Sequence, residues 1–252
     1  METQEESLQN NNKYSRPGFV RSHLDDVLLG DRVLHNLLVS ELHYKLRVGD
    51  YMRQIQETIT PNHRKIVADW MLEVCQSESL APSVFLSSVI YLDAVLTQLS
   101  LAPSQLQLLA SACLSLASKL ASPRPLSLYK LVIATDCSVS LQQLQNMEMV
   151  VLQRLHWDLS SPSSLQFLAI LLPHLSSSLL SSSLLTSKVL KIIEKPAETF
   201  LMLAATEYKF HNVRPAIMVK MLYLKIIAIL LCVYIVGLCF DSYLSGANGR
   251  DS

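Results

Sequence analysis

An all-α fold follows from three features of the sequence. Glycine occurs only 6 times in 252 residues, too few for the many tight turns of a sheet protein. Apolar residues recur at spacings of three and four along most of the chain, the signature of amphipathic helices. Breaks at Pro61, Ala81-Pro82, Ala102-Pro103, Ser122-Pro123-Arg124-Pro125 and Ser138 to Ser140 stand about one helix and one loop apart, and proline is tolerated in the first turn of a helix.

Met1 to Pro17 is polar, acidic and Asn-rich, so it resembles neither a signal peptide nor a transit peptide. It offers too little apolar area to offset the entropy of ordering, and residues 1–22 are expected to be disordered. From Leu24 the series Leu24, Val27, Leu28, Val33, Leu34, Leu37, Leu38 and Leu42 reads as one or two amphipathic helices, interrupted near Gly30-Asp31. A second helical segment is expected from Tyr44 to Glu57, and Thr60-Pro61-Asn62 supplies a stop and a cap. Five helices then follow, near Asn62–Glu78, Ala81–Leu99, Pro103–Ala121, Ser127–Thr135 and Leu141–Leu155.

The first of these five carries more apolar surface than one buried face can use. Val67, Met71, Val74 and Cys75 form one stripe, and Ile66 and Trp70 form a second that ends at Glu73. Spacing alone leaves two readings open: a helix buried on most sides, or one with an outward docking groove. The third helix is small and apolar nearly all round from Gln105 to Ser118 and belongs at the centre of a bundle, where Ala and Ser allow close approach. Lys119 ends it. A lysine there can snorkel to water or complement the C-terminal helix dipole.

Beyond Ser160-Ser161-Pro162 the chain turns helical again with Phe167, Ile170 and Leu171. It then crosses a Ser/Leu-rich stretch from Ser176 to Ser187, which reads as a loose connection or a weakly specified helix. A helical pattern resumes from Lys188 to Thr206, with Pro196 expected to begin or kink a helix. Met221 to Phe240 is a 20-residue run whose one charge is Lys225, long enough for a bilayer span. It reads either as a tail anchor, with Lys220 and Lys225 placing the N-terminal bulk on the cytoplasmic side, or as a buried helix or strand or an abnormal tail on a truncated domain.

The charge balance, 21 basic against 21 acidic residues, leaves no field to draw in nucleic acid, and no basic run interleaves with aromatics. The five cysteines form no Cys-x-x-Cys pair, so neither a zinc site nor a disulfide framework is indicated, and a reducing compartment fits. The sequence has no Gly-rich phosphate loop, no His-Glu-x-x-His and no Gly-x-Ser-x-Gly, and its histidines are scattered. An enzyme is not expected, nor is a metal or cofactor.

One constellation points further. Arg64 in His-Arg-Lys-Ile-Val-Ala-Asp-Trp-Met-Leu-Glu-Val, Asp93 in Tyr91-Leu92-Asp93, Leu108, Lys119 in Leu116-Ala117-Ser118-Lys119 and Glu148 in Met147-Glu148 occur in this order at helix-length spacing. Together they resemble the cyclin box, and specifically the D-type cyclins. The resemblance runs from about Gly30 to Met218 and is closest from Pro61 to Leu159, where Leu155-His156-Trp157-Asp158-Leu159 matches the end of the first box.

The resemblance implies a five-helix cyclin-box bundle at 61–160, preceded by a helical segment at 23–60. A partial second box would follow at 161–218 and a divergent apolar tail at 219–252. It implies an internal ion pair between Arg64 and Asp93 and a kinase-binding pair formed by Lys119 and Glu148. It also implies a substrate-docking groove at Ile66, Val67, Trp70, Glu73 and Gln107, with His63 standing where the family usually has Met. The implied partners are a cyclin-dependent kinase of the G1 type, together with inhibitors and substrates bearing Arg-x-Leu-like motifs. The implied setting is nucleus and cytoplasm, with tail-anchored membrane association as the lesser alternative.

Four departures from the D-type pattern stand out. There is no Leu-x-Cys-x-Glu element, so the resemblance does not extend to docking retinoblastoma-family proteins by that route. Ala94 replaces the Arg that usually follows Asp93. The second repeat is expected to be incomplete and to leave apolar surface unburied. The acidic tail with a phosphorylatable Thr-Pro is absent.

Overall fold

The computed structural model describes residues 31–45, 50–179 and 187–226, and among them every regular element is a helix. In chain order these are α1 (Asp31–Lys45), α2 (Tyr51–Gln54), α3 (Pro61–Ser77), α4 (Pro82–Leu96), α5 (Pro103–Ala121), α6 (Leu128–Ala134), α7 (Leu141–Arg154), α8 (Ser164–Leu179) and α9 (Ser187–Thr206). A single 3-10 turn at Tyr208–Phe210 follows, and residues 215–226, here α10, are helical.

Sequence chemistry explains the starts. Helices α3, α4 and α5 each begin on a proline after an extended residue: Thr60, Ala81 and Ala102. Proline lacks the amide that a helix's first turn leaves unpaired, and it forces the residue before it out of the helical region. Thr60 and Ser140 add capping boxes. The Thr60 hydroxyl accepts from the His63 amide at 3.3 Å while the Thr60 amide donates to His63 Nδ1 at 3.2 Å. Ser140 and Gln143 make the same exchange at the start of α7.

Glycine is scarce, so the stops use other residues. Ser79, the pair Asp136 and Cys137, and the pair His156 and Trp157 have φ between 51° and 60°. Their turns close with Leu80 N–H on Cys75 O, Cys137 N–H on Val132 O and Trp157 N–H on Leu152 O, the six-to-one bonds of a Schellman motif. The Leu155–Leu159 motif therefore ends α7, and Tyr91 fastens it by donating its hydroxyl to Leu159 O at 2.8 Å.

Helix α5 is the axis of the first bundle. Leu109 through Ser118 are all buried, and α3, α4, α6 and α7 pack around it. The main core joins the buried faces of α3 to α7 with Tyr51, Ile59 and Leu155. A second core gathers Phe167, Leu168 and Leu172 of α8, Ala197 and Leu201 of α9, and Val219 and Leu222 of α10.

Several expectations change. Of the segment expected to be helical from Tyr44 to Glu57, Tyr44 and Lys45 end α1, residues 46–49 lie outside the described residues, and beyond them the helix is the single turn Tyr51–Gln54. Just past this turn the Gln56 side-chain amide donates to Leu96 O and Leu99 O at 2.7 and 2.8 Å, which fastens the segment to the end of α4. Helix α1 precedes the first box in sequence, yet Leu34 and Leu37 pack on the second core. Of the Ser/Leu-rich stretch, the part as far as Leu179 is helical, one of the two readings left open, and residues 180–186 lie outside the described residues; α9 does not begin at Pro196 but runs through it. The tail boundary expected at 218/219 falls inside α10, where Val219 and Leu222 are core residues.

The remainder of the apolar run, from 227, lies outside the described residues, as do residues 1–30. Among the described residues no helix is long and apolar enough to cross a membrane.

Leu114 is fully buried in α5, whereas Leu120, one residue from its end, is 59% exposed. Leu114→Ala is expected to cost about 3 kcal/mol through lost transfer energy and an unfilled cavity, and Leu120→Ala under about 0.5 kcal/mol. Urea denaturation midpoints measure both.

Candidate functional site

The sequence places four charged residues at helix positions where their partners are far away in sequence, and the fold brings them together in two pairs. Arg64, on α3, is 1% exposed. Its Nη2 donates to Asp93 Oδ2 of α4 at 2.8 Å and its Nε to Oδ1 at 3.1 Å, a bidentate pair. Its Nη1 donates to the carbonyls of Ala205 and Thr206 at 2.6 and 2.8 Å, satisfying acceptors that the last turn of α9 leaves open. Tyr51 completes the knot by donating its hydroxyl to Asp93 Oδ1 at 2.7 Å.

The electrostatics agree with this geometry. Burial alone would lower the guanidinium's affinity for its proton, but Asp93 beside it moves the balance upward. Burial and then the Asp93 charge push the Tyr51 phenol far above its ordinary range, so it stays a donor. Beside the knot, Tyr208 stacks on His211 with centroids 4.1 Å apart, and both meet the Tyr51 ring edge-on at 5.6 Å. Lys65, next to Arg64, pairs with Glu207.

The second pair lies at the end of α5. Lys119 Nζ meets Glu148 Oε1 of α7 at 2.6 Å, with the lysine side chain 43% exposed and the glutamate 10%. A half-exposed cation thus sits over a nearly buried carboxylate. Around it, α5, α6 and α7 leave Leu120, Tyr129, Ile133, Leu141 and Met149 exposed. Single exposed apolar residues are ordinary; these five lie on three mutually packed helices.

The two stripes of α3 separate as a consequence of the packing. Val67, Met71, Val74 and Cys75 enter the core; burial pushes the Cys75 thiol up to about 12, that of an inert core residue. Ile66 stays 59% exposed, Trp70 is half-buried and Glu73 exposed. Trp70 Nε1 donates to Ala134 O at 3.3 Å, which ties the outer face of α3 to the end of α6. Gln107 is half-buried on α5, a packed neighbour of α3. Val67, grouped with the groove from sequence, is a core residue at 7% exposure; it lies one position past Ile66, about 100° round the helix. His63 has a role that spacing did not reveal, as the reciprocal partner of Thr60 in the α3 cap. Leu108 is partly buried against the main core, and Ala94 is buried in it.

Residues 32–160, just over half of the chain, match the family described as Cyclin, N-terminal domain. This chain belongs to the cyclin family. Its similarity is to D-type members: it is 41% identical over 197 residues to the G1/S-specific cyclin-D3 of Homo sapiens, covering 78% of this chain and 64% of that protein. It is 39% identical over 196 residues to the G1/S-specific cyclin-D1 of Xenopus laevis, with the same coverage of both chains. This cyclin therefore spans a little under two thirds of the length of the curated relatives it matches. A crystal structure of a viral cyclin from herpesvirus saimiri superposes with a TM-score of 0.62 at 26% identity, covering 73% of this chain and 76% of that one. The fold is an all-α cyclin fold of the D-type branch.

Removing one member of a buried pair strands the other. Arg64→Ala in this cyclin is expected to lose about 3–5 kcal/mol of unfolding free energy in a denaturant titration. Arg64→Lys should also lose stability, because an ammonium cannot span both carboxylate oxygens and two carbonyls. A loss below about 1 kcal/mol for Arg64→Ala would mean that the knot is peripheral to the fold.

Proposed function

We propose that this cyclin is the regulatory subunit of a cyclin-dependent Ser/Thr kinase of the G1 type, which it binds and activates while recruiting substrates, and that it thereby promotes the G1/S transition. The observation that carries the reading is the Lys119–Glu148 pair set among exposed apolar side chains of α5, α6 and α7. Glu148 holds the lysine in place while the lysine keeps donors for a partner, and the apolar rim supplies area that loses water on contact. The D-type relatives, named as G1/S-specific, support the kinase class and the cell-cycle stage.

The mechanism is a shift of population. A kinase whose regulatory helix moves between an outward and an inward position is biased toward the state its partner binds more tightly. Binding the inward position completes the internal Lys-Glu ion pair that phosphoryl transfer needs in the kinase. The chemistry stays in the kinase. Ile66, Trp70 and Glu73 then serve recruitment: an apolar platform with a carboxylate at its edge suits an Arg-x-Leu motif on substrates and inhibitors. Such a subunit works in nucleus and cytoplasm.

A second reading is favoured by Phe200, Leu203, Ile217, Met221 and Leu224, which α9 and α10 leave 37 to 59% exposed. In that reading the chain binds kinase or inhibitors without switching activity, and the apolar run beyond α10 tethers it to membrane. A kinase assay on the co-purified pair separates the two readings. Activity at least tenfold above free kinase supports the first, and stoichiometric binding without activity supports the second.

Glu148→Lys is expected to abolish co-purification with the kinase, since it turns the pair into two like charges at the contact. Trp70→Ala is expected to leave kinase binding intact and raise KM about 30-fold for a substrate carrying an Arg-x-Leu motif. That corresponds to the roughly 2 kcal/mol of an anchoring aromatic. A short substrate without the motif should show no change.

A further inference from the structure

A cavity of about 110 Å³ opens between α1, α4 and the turn leading into α10, apart from both the Lys119–Glu148 face and the Trp70 face. Its walls are mostly apolar, with Leu86, Val89 and Ile90 of α4 on one side and Met218 of α10 on another. Glu41, Tyr44 and His211 line it, and each has a buried polar side-chain atom. Glu41 of α1 is 2% exposed; its Oε1 accepts the Ala216 amide at 2.7 Å, while Oε2 is buried with no protein partner. His211 has its Nε2 buried, also with no protein partner.

The imidazole's state follows from its other nitrogen. His211 Nδ1 lies 2.7 Å from Tyr208 O. A carbonyl only accepts, so Nδ1 carries a hydrogen toward it, and Nε2 is the ring atom left for a ligand. The cavity therefore offers a carboxylate oxygen and an imidazole nitrogen that no protein group engages, the carboxylate on a residue 2% exposed. Arg64 and Asp93 also line it, but they neutralise one another. Arg214, partly exposed, lines it as well without closing on Glu41 Oε2. A buried acceptor left unmatched costs free energy, and a ligand with matching donors recovers it.

We propose that this cavity is a binding site for a small primary alkylammonium ion of roughly half a dozen heavy atoms, a size set by the volume. The ammonium donates to Glu41 Oε2 and His211 Nε2, and the alkyl body lies against Leu86, Val89, Ile90 and Met218. Occupancy joins α1 to the turn before α10 and so acts on the joint between the two cores, independently of the kinase face.

The probe is 3-methylbutylammonium, with 3-methylbutan-1-ol as its neutral counterpart, titrated into the full chain and followed by the His211 ring signals and by calorimetry. The ammonium should saturate at millimolar concentration, bind at least about tenfold more tightly than the alcohol, and move the His211 signals. Glu41→Gln, which keeps the bond to the Ala216 amide, should erase that preference. Met218→Trp, which fills the cavity, should erase binding of both. Equal binding of alcohol and ammonium, an unchanged preference in Glu41→Gln, or no saturable binding because the cavity holds solvent only would each overturn the proposal. None of these outcomes bears on kinase binding, so the two readings stand or fall separately.

Discussion

The buried contact between Arg64 and Asp93 is the constraint on which the rest of the arrangement depends. Taking a guanidinium and a carboxylate out of water costs several kcal/mol per ion, and that cost is met only when nearly every donor and acceptor is used. Here they are: two bonds run from arginine to aspartate, one from Tyr51 to the same carboxylate, and two from arginine to the carbonyls closing α9. Four elements therefore meet at one charge pair. Apolar packing tolerates small shifts, but this set of directed bonds fixes how α2, α3, α4 and the end of α9 lie.

Because α9 ends on Arg64, the second core is held against the first by polar geometry at its centre and by rings at its edge. Tyr208 and His211 pack on Tyr51, and Tyr208 reaches Asp50 through its hydroxyl at 2.9 Å. Helix α1 closes the other side, with Leu34 and Leu37 on the second core and Glu41 capping α10. With that joint fixed, α3 and α5 can show outward residues at two separate places. One is the Lys119–Glu148 pair, and the other is the outer stripe of α3 steadied by the Trp70 bond to Ala134 O.

How much of this was legible in the sequence depended on whether the signal was local. Helices α3, α4 and α5 could be placed closely, because a proline in the first turn and an extended residue before it mark a boundary whatever packs nearby. The two stripes of α3 were also readable, since helical spacing fixes which residues share a face. Tyr51–Gln54 was not: Val48, Tyr51, Met52 and Ile55 mimic helical spacing, and the Gln56 side chain that fastens the segment just past this turn finds its partners some forty residues away. An amphipathic pattern also reveals a face without revealing its partner, and only the fold places Leu34 and Leu37 of α1 on the second core. Glu41, a carboxylate among leucines, carried a signal of burial with a purpose. Only the fold identifies the amide it caps.

The account's central claim is that one rigid frame, tied at Arg64, presents the end of α5 and the adjoining α6 and α7 to a kinase while α3 stays free for substrates. Hydrogen exchange of the full chain, alone and bound to a purified G1-type cyclin-dependent kinase, tests it most directly. The account predicts slowed exchange in peptides covering 117–133 and 141–152, with no change over 66–73 until an Arg-x-Leu peptide is added. Protection confined to α9 and α10, or protection of 66–73 by kinase alone, would contradict it.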